Sequence, residues 1–269
     1  TTNLGVNATK IFNNVTVSGS LANTGNAAWT VIGDLVNNGT ISFTNGTCSM
    51  SGTNKSISGS GSTTFFAFSV PSGSITCGSI SLRGNFDTIG SFASTGLVRF
   101  IGTTTMSGAG SKTFESIEVQ TGATLTPNAA YTIGLDLAVL GTGVLNAGSS
   151  TTTFNGLTSI TGPSPSITFN AISVSAGAQV DVFTDITING NFDIANNGSW
   201  TANNSRTTFV GLTMTGTGTY NIQLRDVTIS TGTFTPNASY YIAGNLVVTG
   251  TLAAGNATTT FSGTTTISG

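Results

Sequence analysis

The chain has 269 residues, of which only 6% are charged against roughly 25% in an ordinary soluble domain, and its net charge at neutral pH is −2. Its seven Lys and Arg, scattered at positions 10, 55, 83, 99, 112, 206 and 225, form no basic stripe for a phosphate backbone, which argues against nucleic-acid binding. There is no His, which removes Ser-His-Asp and Cys-His catalysis and most zinc sites in one step.

Thr and Ser supply nearly a third of the residues and Gly another 36, yet 38% are apolar and regularly placed, so the chain reads as ordered and all-β rather than disordered. No run of 18 apolar residues occurs and the chain opens on TTNLGVNATK without a basic and then apolar leader; the expectation is no membrane span, and a mature chain or a fragment.

Taken in order, the chain repeats one phrase. A diverged form runs from Ile41 to Val70, and closer copies are Leu97 to Val119 (LVRFIGTTTMSGAGSKTFESIEV), Thr152 to Val174 (TTFNGLTSITGPSPSITFNAISV) and Thr207 to Ile229 (TTFVGLTMTGTGTYNIQLRDVTI). An opening half closes the chain at Thr258 to Gly269. Units therefore start near residues 12, 65, 114, 169 and 224, at spacings of 53, 49, 55 and 55. Each divides into three themes of two apolar residues separated by one, starting at Val15, Leu35, Cys48; Phe68, Phe86, Thr104; Ile117, Leu137, Leu157; Ile172, Phe192, Leu212; and Val227, Leu246, Thr265. The alternation has period two and Gly or Asn interrupts every helical series, so the themes are strands with one face inward.

The double period predicts residues 1–269 to be a single-domain parallel β-solenoid, right-handed by the crossover rule, with about 15 coils of about 18 residues grouped in threes. Phe100, Phe154, Phe209 and Phe261 are expected at one corner of every third coil, and Gly39, Gly122, Gly177, Gly198, Gly232 and Gly250 at turns with positive φ.

Candidate sites are few. Cys48 and Cys77 read as one disulfide or as two small core residues. Asp181, Asp185 and Asp193 share one coil and could form a carboxylate cluster, although solvated outward acids are the plainer reading. Asp34, Asn85, Asp136, Asn191 and Asn245 each precede a second-theme strand, as turn-capping side chains do. Sequons at Asn7, Asn14, Asn38, Asn45, Asn54, Asn197, Asn203, Asn237 and Asn256 are no more frequent than the composition predicts. Trp29, Trp200, Tyr240 and Tyr241 could stack on sugars, but large β-formers more often fill a core. Thr triplets at 103–105, 151–153, 258–260 and 264–266 recur too sparsely for a flat ice-matching face. No catalytic, cofactor or metal residue is expected.

The grammar F-x-G-x-T-x-x-x-G, then F-x-x-I-x-V, then G-[ND]-[LF]-x-[VI]-x-x-G-x-[LW] resembles the Gly/Thr/Asn-rich repeats of large bacterial and archaeal cell-surface proteins. More distantly it is similar to the β-helical passengers of autotransporter and filamentous-haemagglutinin-type adhesins. The resemblance implies an extracellular right-handed β-helix that serves as stalk, fibre or adhesin, and it names no ligand. A non-enzymatic element is favoured because no coil step exceeds 20 residues, which leaves no long loop insertion to form a cleft; a β-helix that binds or acts on cell-surface glycans is the alternative. Neither end reads as a cap, so end-to-end assembly with further copies of the chain is the expected partnership.

Overall fold

The computed structural model describes residues 2–3, 9–163 and 166–269. Among them the chain forms 41 short strands and no helix, and every strand pairing is parallel. It divides into two compact units, Thr1–Tyr131 and Thr132–Gly269, each built the same way. Three strands make one coil, and each strand pairs with those three strands before and after it, which gives each unit three sides. In the N-terminal unit side A begins with Thr2–Asn3 and Ser20–Asn23, side B with Lys10–Phe12 and Trp29–Val31, and side C with Val15–Val17 and Leu35–Asn37. In the C-terminal unit side D begins with Leu137–Val139 and Leu157–Thr161, side E with Val144–Leu145 and Ile167–Phe169, and side F with Thr151–Phe154 and Ala171–Val174.

The strands form where the sequence alternates. In Ile167–Phe169 and Ile186–Ile188 the outer residues are buried and the central Thr is half-exposed, and β-branched and aromatic side chains fit such a surface. Successive coils then superimpose apolar residue on apolar residue: Val15 on Leu35 on Ile57, Phe68 on Phe86 on Met106, and Ile172 on Phe192 on Met214. The step from Phe68 to Phe86 is the shortest of these and the steps from Leu35 to Ile57 and Phe192 to Met214 the longest. A coil is therefore about 20 residues long rather than about 18, as is usual for solenoid repeats. The coils are correspondingly fewer than the expected fifteen, at about 13 turns.

The reason is a mismatch between the repeat and the coil. The strand carrying F-x-x-I-x-V is Val15–Val17, then Ala67–Val70, then Ser116–Val119, and each lies eight strands after the last. Eight is not a multiple of three. These three copies consequently fall on sides C, B and A, and in the C-terminal unit Ala171–Val174 lies on side F and Asp226–Thr231 on side E. Two steps of each repeat are full coils, but the third, as from Ile57 to Phe68 or Met106 to Ile117, advances only two strands. Dividing the repeat evenly by three hides this short step.

Two expectations fail. Cys48, Thr104, Leu157, Leu212 and Thr265 are not the third-theme core positions; the residues in register are Ile57, Met106, Ile160, Met214 and Ile267, and Leu157 is 66% exposed. Likewise Phe154, Phe209 and Phe261 occupy no common corner, lying at or next to the ends of strands on sides F, E and D in turn.

The core of the N-terminal unit is a run of aromatic contacts, with Phe12–Trp29, Trp29–Phe43, Phe43–Phe65 and Phe65–Phe68 centroids 4.8 to 5.6 Å apart. In the C-terminal unit aromatic groups are separated by aliphatic coils, with Phe192–Trp200 at 5.1 Å and Phe209 stacked on Phe234 at 4.6 Å. Of the six corner glycines, Gly122, Gly177 and Gly232 have positive φ. Gly39 serves close approach instead: a Cβ there would lie 2.0 Å from the carbonyl oxygen of Gly19, one coil away.

Ile172 and Phe192 are buried, whereas Ser173 is half-exposed and Asn191 exposed, as the alternation predicts. Asp at Ile172 or Phe192 is expected to cost several kcal/mol and Asp at Ser173 or Asn191 under about 1 kcal/mol, because only the first pair buries an unpaired carboxylate. Comparable losses of melting temperature in the two classes contradict this register. Thr104 and Thr207 are fully buried with hydroxyls that meet no hydrogen-bond partner, so Thr104→Val and Thr207→Val are each expected to stabilise the fold by about 1 kcal/mol in denaturant titrations.

Candidate functional site at the open coil

The side chains singled out in the sequence are dispersed over the sides. Asp181 lies on side D, Asp185 at the corner between sides D and E, and Asp193 on side F, so no carboxylate cluster forms. Asp185 accepts the Arg206 N–H at 2.7 Å and Asp193 the Thr215 hydroxyl at 2.6 Å. Among the described residues no group of three His, Cys, Asp or Glu could hold a metal ion. Trp29, Trp200 and Tyr240 are core residues; Tyr241 alone of the four aromatics is exposed, at 45%. The central residues of two Thr triplets, Thr104 and Thr152, also point inward.

Of the Asp and Asn residues ahead of second-theme strands, Asp34, Asn85 and Asn245 cap, but from one coil to the next rather than within a turn. Asn14 Oδ1 accepts the Asp34 N–H at 2.9 Å, and Asp34 Oδ1 accepts the Ser56 N–H at 2.8 Å. The corresponding column in the last repeat is Asp226, Asn245 and Thr266, with N–H contacts of 2.7 and 3.2 Å. Asn85 accepts from the Thr105 N–H at 3.3 Å. Each bond carries the inter-coil ladder past a corner where the backbone alone cannot, and because the repeat turns, these residues lie on several sides.

Of the sequon asparagines, Asn14, Asn38, Asn54, Asn197, Asn237 and Asn256 are exposed and Asn45 and Asn203 half-buried; Asn7 lies outside the described residues. Cys48 on side B and Cys77 on side C are buried free thiols, which is the core reading rather than the disulfide. The sequence reading passed over Lys112, whose position in the repeat is taken by Thr63, Ile167 or Ile222 elsewhere. Lys112 is 2% exposed, and its ammonium donates to the Gly108 and Gly110 carbonyls at 2.7 and 2.9 Å. Desolvation lowers its pKa, against the opposing charge of Asp87. With Lys10 in the first copy and Thr63 in the second, the column offers no apolar pattern whose break would have marked it.

One surface to which all three sides contribute is the last coil. Its strands Thr251–Leu252, Thr259–Phe261 and Ile267–Ser268 lie one on each side, and Leu252, Phe261 and Ile267 are in register with Phe234, Ile242 and Leu246 beneath. The lower three are at most 3% exposed; the upper three are 38, 42 and 63% exposed. Their outer strand edges also carry unpaired backbone groups. From residue 227 to 269 there is no Asp, Glu, Lys or Arg. At the first described coil Phe12 and Val15 are likewise only half-buried, where Val31 and Leu35, their partners one coil on, are at most 2% exposed.

The chain matches no protein-family model, no curated protein and no solved structure. The fold itself, a parallel β-solenoid of stacked three-sided coils, is that of β-helix repeat proteins.

Burial pushes both thiols from about 9 up to about 12. The folded state holds these protons more tightly than the unfolded one, so their contribution is full below pH 9 and is lost as pH rises from 9 towards 12. By pH 10 the loss is on the order of 1 kcal/mol per thiol. A Cys48→Ala/Cys77→Ala variant is expected to show a shallower alkaline fall in denaturant midpoint than the wild type, and a thiol reagent at pH 8 to label the wild type only after unfolding.

Proposed function

We propose that the chain is a non-enzymatic, extracellular structural element that works by stacking coil on coil, a further copy seating on Leu252, Phe261 and Ile267 and extending the structure into a fibre. The observation that carries this reading is that each of the three sides ends in an uncovered apolar side chain at an inward position. Covering the exposed part of each one is worth on the order of 1 kcal/mol, and the same contact pairs the free strand edges. A neutral last coil opposes stacking with no like-charge repulsion. Such a contact is heterologous and does not close, and therefore grows.

The turning repeat supports a structural role over a face-specific one. A flat face built from the repeat's own residues needs the same side chain on the same side in successive coils, whereas here each repeat presents its features one side further round. The extracellular setting rests on the scarcity of charge and on the resemblance to surface-protein repeats. The same coil continued covalently by further repeats would use the same surface, and the two arrangements are separable.

The 269-residue chain is expected to form fibres visible by electron microscopy and to scatter light increasingly with concentration. Phe261→Asp and Ile267→Asp should abolish assembly while leaving the melting temperature nearly unchanged, since neither residue is buried in the single chain. A wild-type chain that stays monomeric at high concentration contradicts assembly between copies and leaves covalent continuation.

A further inference from the structure

The repeat supplies an internal reference for what each position carries when it serves only the fold. In strands Ser62–Phe65, Lys112–Phe114 and Ile167–Phe169 the outward residue is Thr64, Thr113 or Thr168; in Asn221–Leu224, the same place in the repeat, it is Gln223. Two residues earlier Ser62, Ser111 and Ser166 give way to Asn221. In Trp29–Val31, Ile80–Leu82, Tyr131–Ile133 and Ile186–Ile188 the central residue is Thr30, Ser81, Thr132 or Thr187; in Tyr240–Ile242 it is Tyr241. Three departures from a small hydroxyl residue thus occur within one repeat.

The fold brings the three together. Asn221–Leu224 and Tyr240–Ile242 are adjacent strands of side D, with Gln223 in register with Tyr241 and Tyr241 with Thr260 of the following coil. Asn221, Gln223, Leu224, Tyr241, Ala243 and Ser262 line a shallow concavity of about 330 Å³. Gln223 Nε2 lies 3.4 Å from Asn221 Oδ1, a long and exposed contact that leaves amide donors and acceptors free for a ligand. Nothing in the coil needs these larger side chains, since Thr and Ser hold the same positions in the three preceding copies.

We propose that this concavity binds a neutral carbohydrate. An exposed aromatic ring offers its face to the C–H side of a sugar ring, the amides of Asn221 and Gln223 both donate and accept as sugar hydroxyls require, and the hydroxyls of Ser262 and Thr260 extend the same chemistry along the side. None of the lining residues is charged, which excludes an acidic glycan or a phosphate as the matched ligand. The site lies on a sheet face across three adjacent coils of side D, which suits a segment of a long chain rather than an enclosed small molecule.

The test is affinity electrophoresis of the chain in gels containing soluble dextran, mannan, galactan or hydroxyethyl cellulose, beside Tyr241→Thr and Gln223→Thr. These variants restore the repeat's own residues and are expected to fold with unchanged melting temperature. Retardation of the wild type by at least one polymer, with association at least about tenfold weaker (about 1.4 kcal/mol) in Tyr241→Thr, is the expected result. Unchanged mobility of the wild type in all four polymers overturns the proposal, as does equal retardation of Tyr241→Thr. A sedimentation change in Tyr241→Thr without any loss of retardation also overturns it, because the site then serves contact between copies. Phe261→Asp should still be retarded, so loss of stacking and loss of sugar binding are read separately.

Discussion

The inward side chains of the described strands stack on their counterparts one coil away. Parallel pairing in register sets Ile172 on Phe192 on Met214, and Phe68 on Phe86 on Met106, so an inward side chain must match its counterpart in the next coil rather than its sequence neighbours. Period-two strands, close-packed corners and side-chain caps all serve that one requirement. Asn14, Asp34 and Asp226 accept backbone N–H groups of the following coil where the chain bends away from its neighbour, and Gly39 lets two backbones approach where a Cβ would collide. It also explains why Lys112 is tolerated: its ammonium turns back onto two carbonyls of its own corner while its stem occupies an inward site in register with Phe92.

A repeat of eight strands on a coil of three has consequences for function. Successive copies of one phrase cannot share a side, so a residue fixed in the repeat is distributed around the coil stack instead of accumulating in a column. Stacking needs only that three inward rows continue, and it is indifferent to which copy supplies them. Recognition confined to one place must then come from residues that depart from the repeat. Tyr241 and Gln223 are such residues, and their proximity arises from the fold, since a full coil of chain separates them.

What could be read from the sequence was local. The alternation placed Ile172, Phe192 and Ile194 inward, and the Gly, Asn and Thr content excluded helices. The coil length was obscured because the repeat divides into three themes of similar length, and nothing local distinguishes the short step from Ile57 to Phe68 from the full step from Leu35 to Ile57. Leu157 was misplaced because L-T-S-I offers two apolar residues three apart, and only pairing with Leu137 shows that Ile160 is the inward one. The aromatic candidates were equally ambiguous. Tyr240 and Tyr241 are adjacent and identical in type, and the strand's alternation alone decides that one is core and the other surface.

The coil length is the premise on which the turning of the repeat rests, and cysteine pairing tests it most directly. In a Cys48→Ala/Cys77→Ala background, Thr187→Cys and Thr208→Cys stand in register on adjacent coils of side E. Parallel neighbours at about 4.8 Å lie within disulfide reach, so this pair should oxidise readily without loss of melting temperature. If Thr187→Cys instead pairs with Ser205→Cys and not with Thr208→Cys, the coil has the shorter length that an even division of the repeat implies, and the repeat keeps to one side.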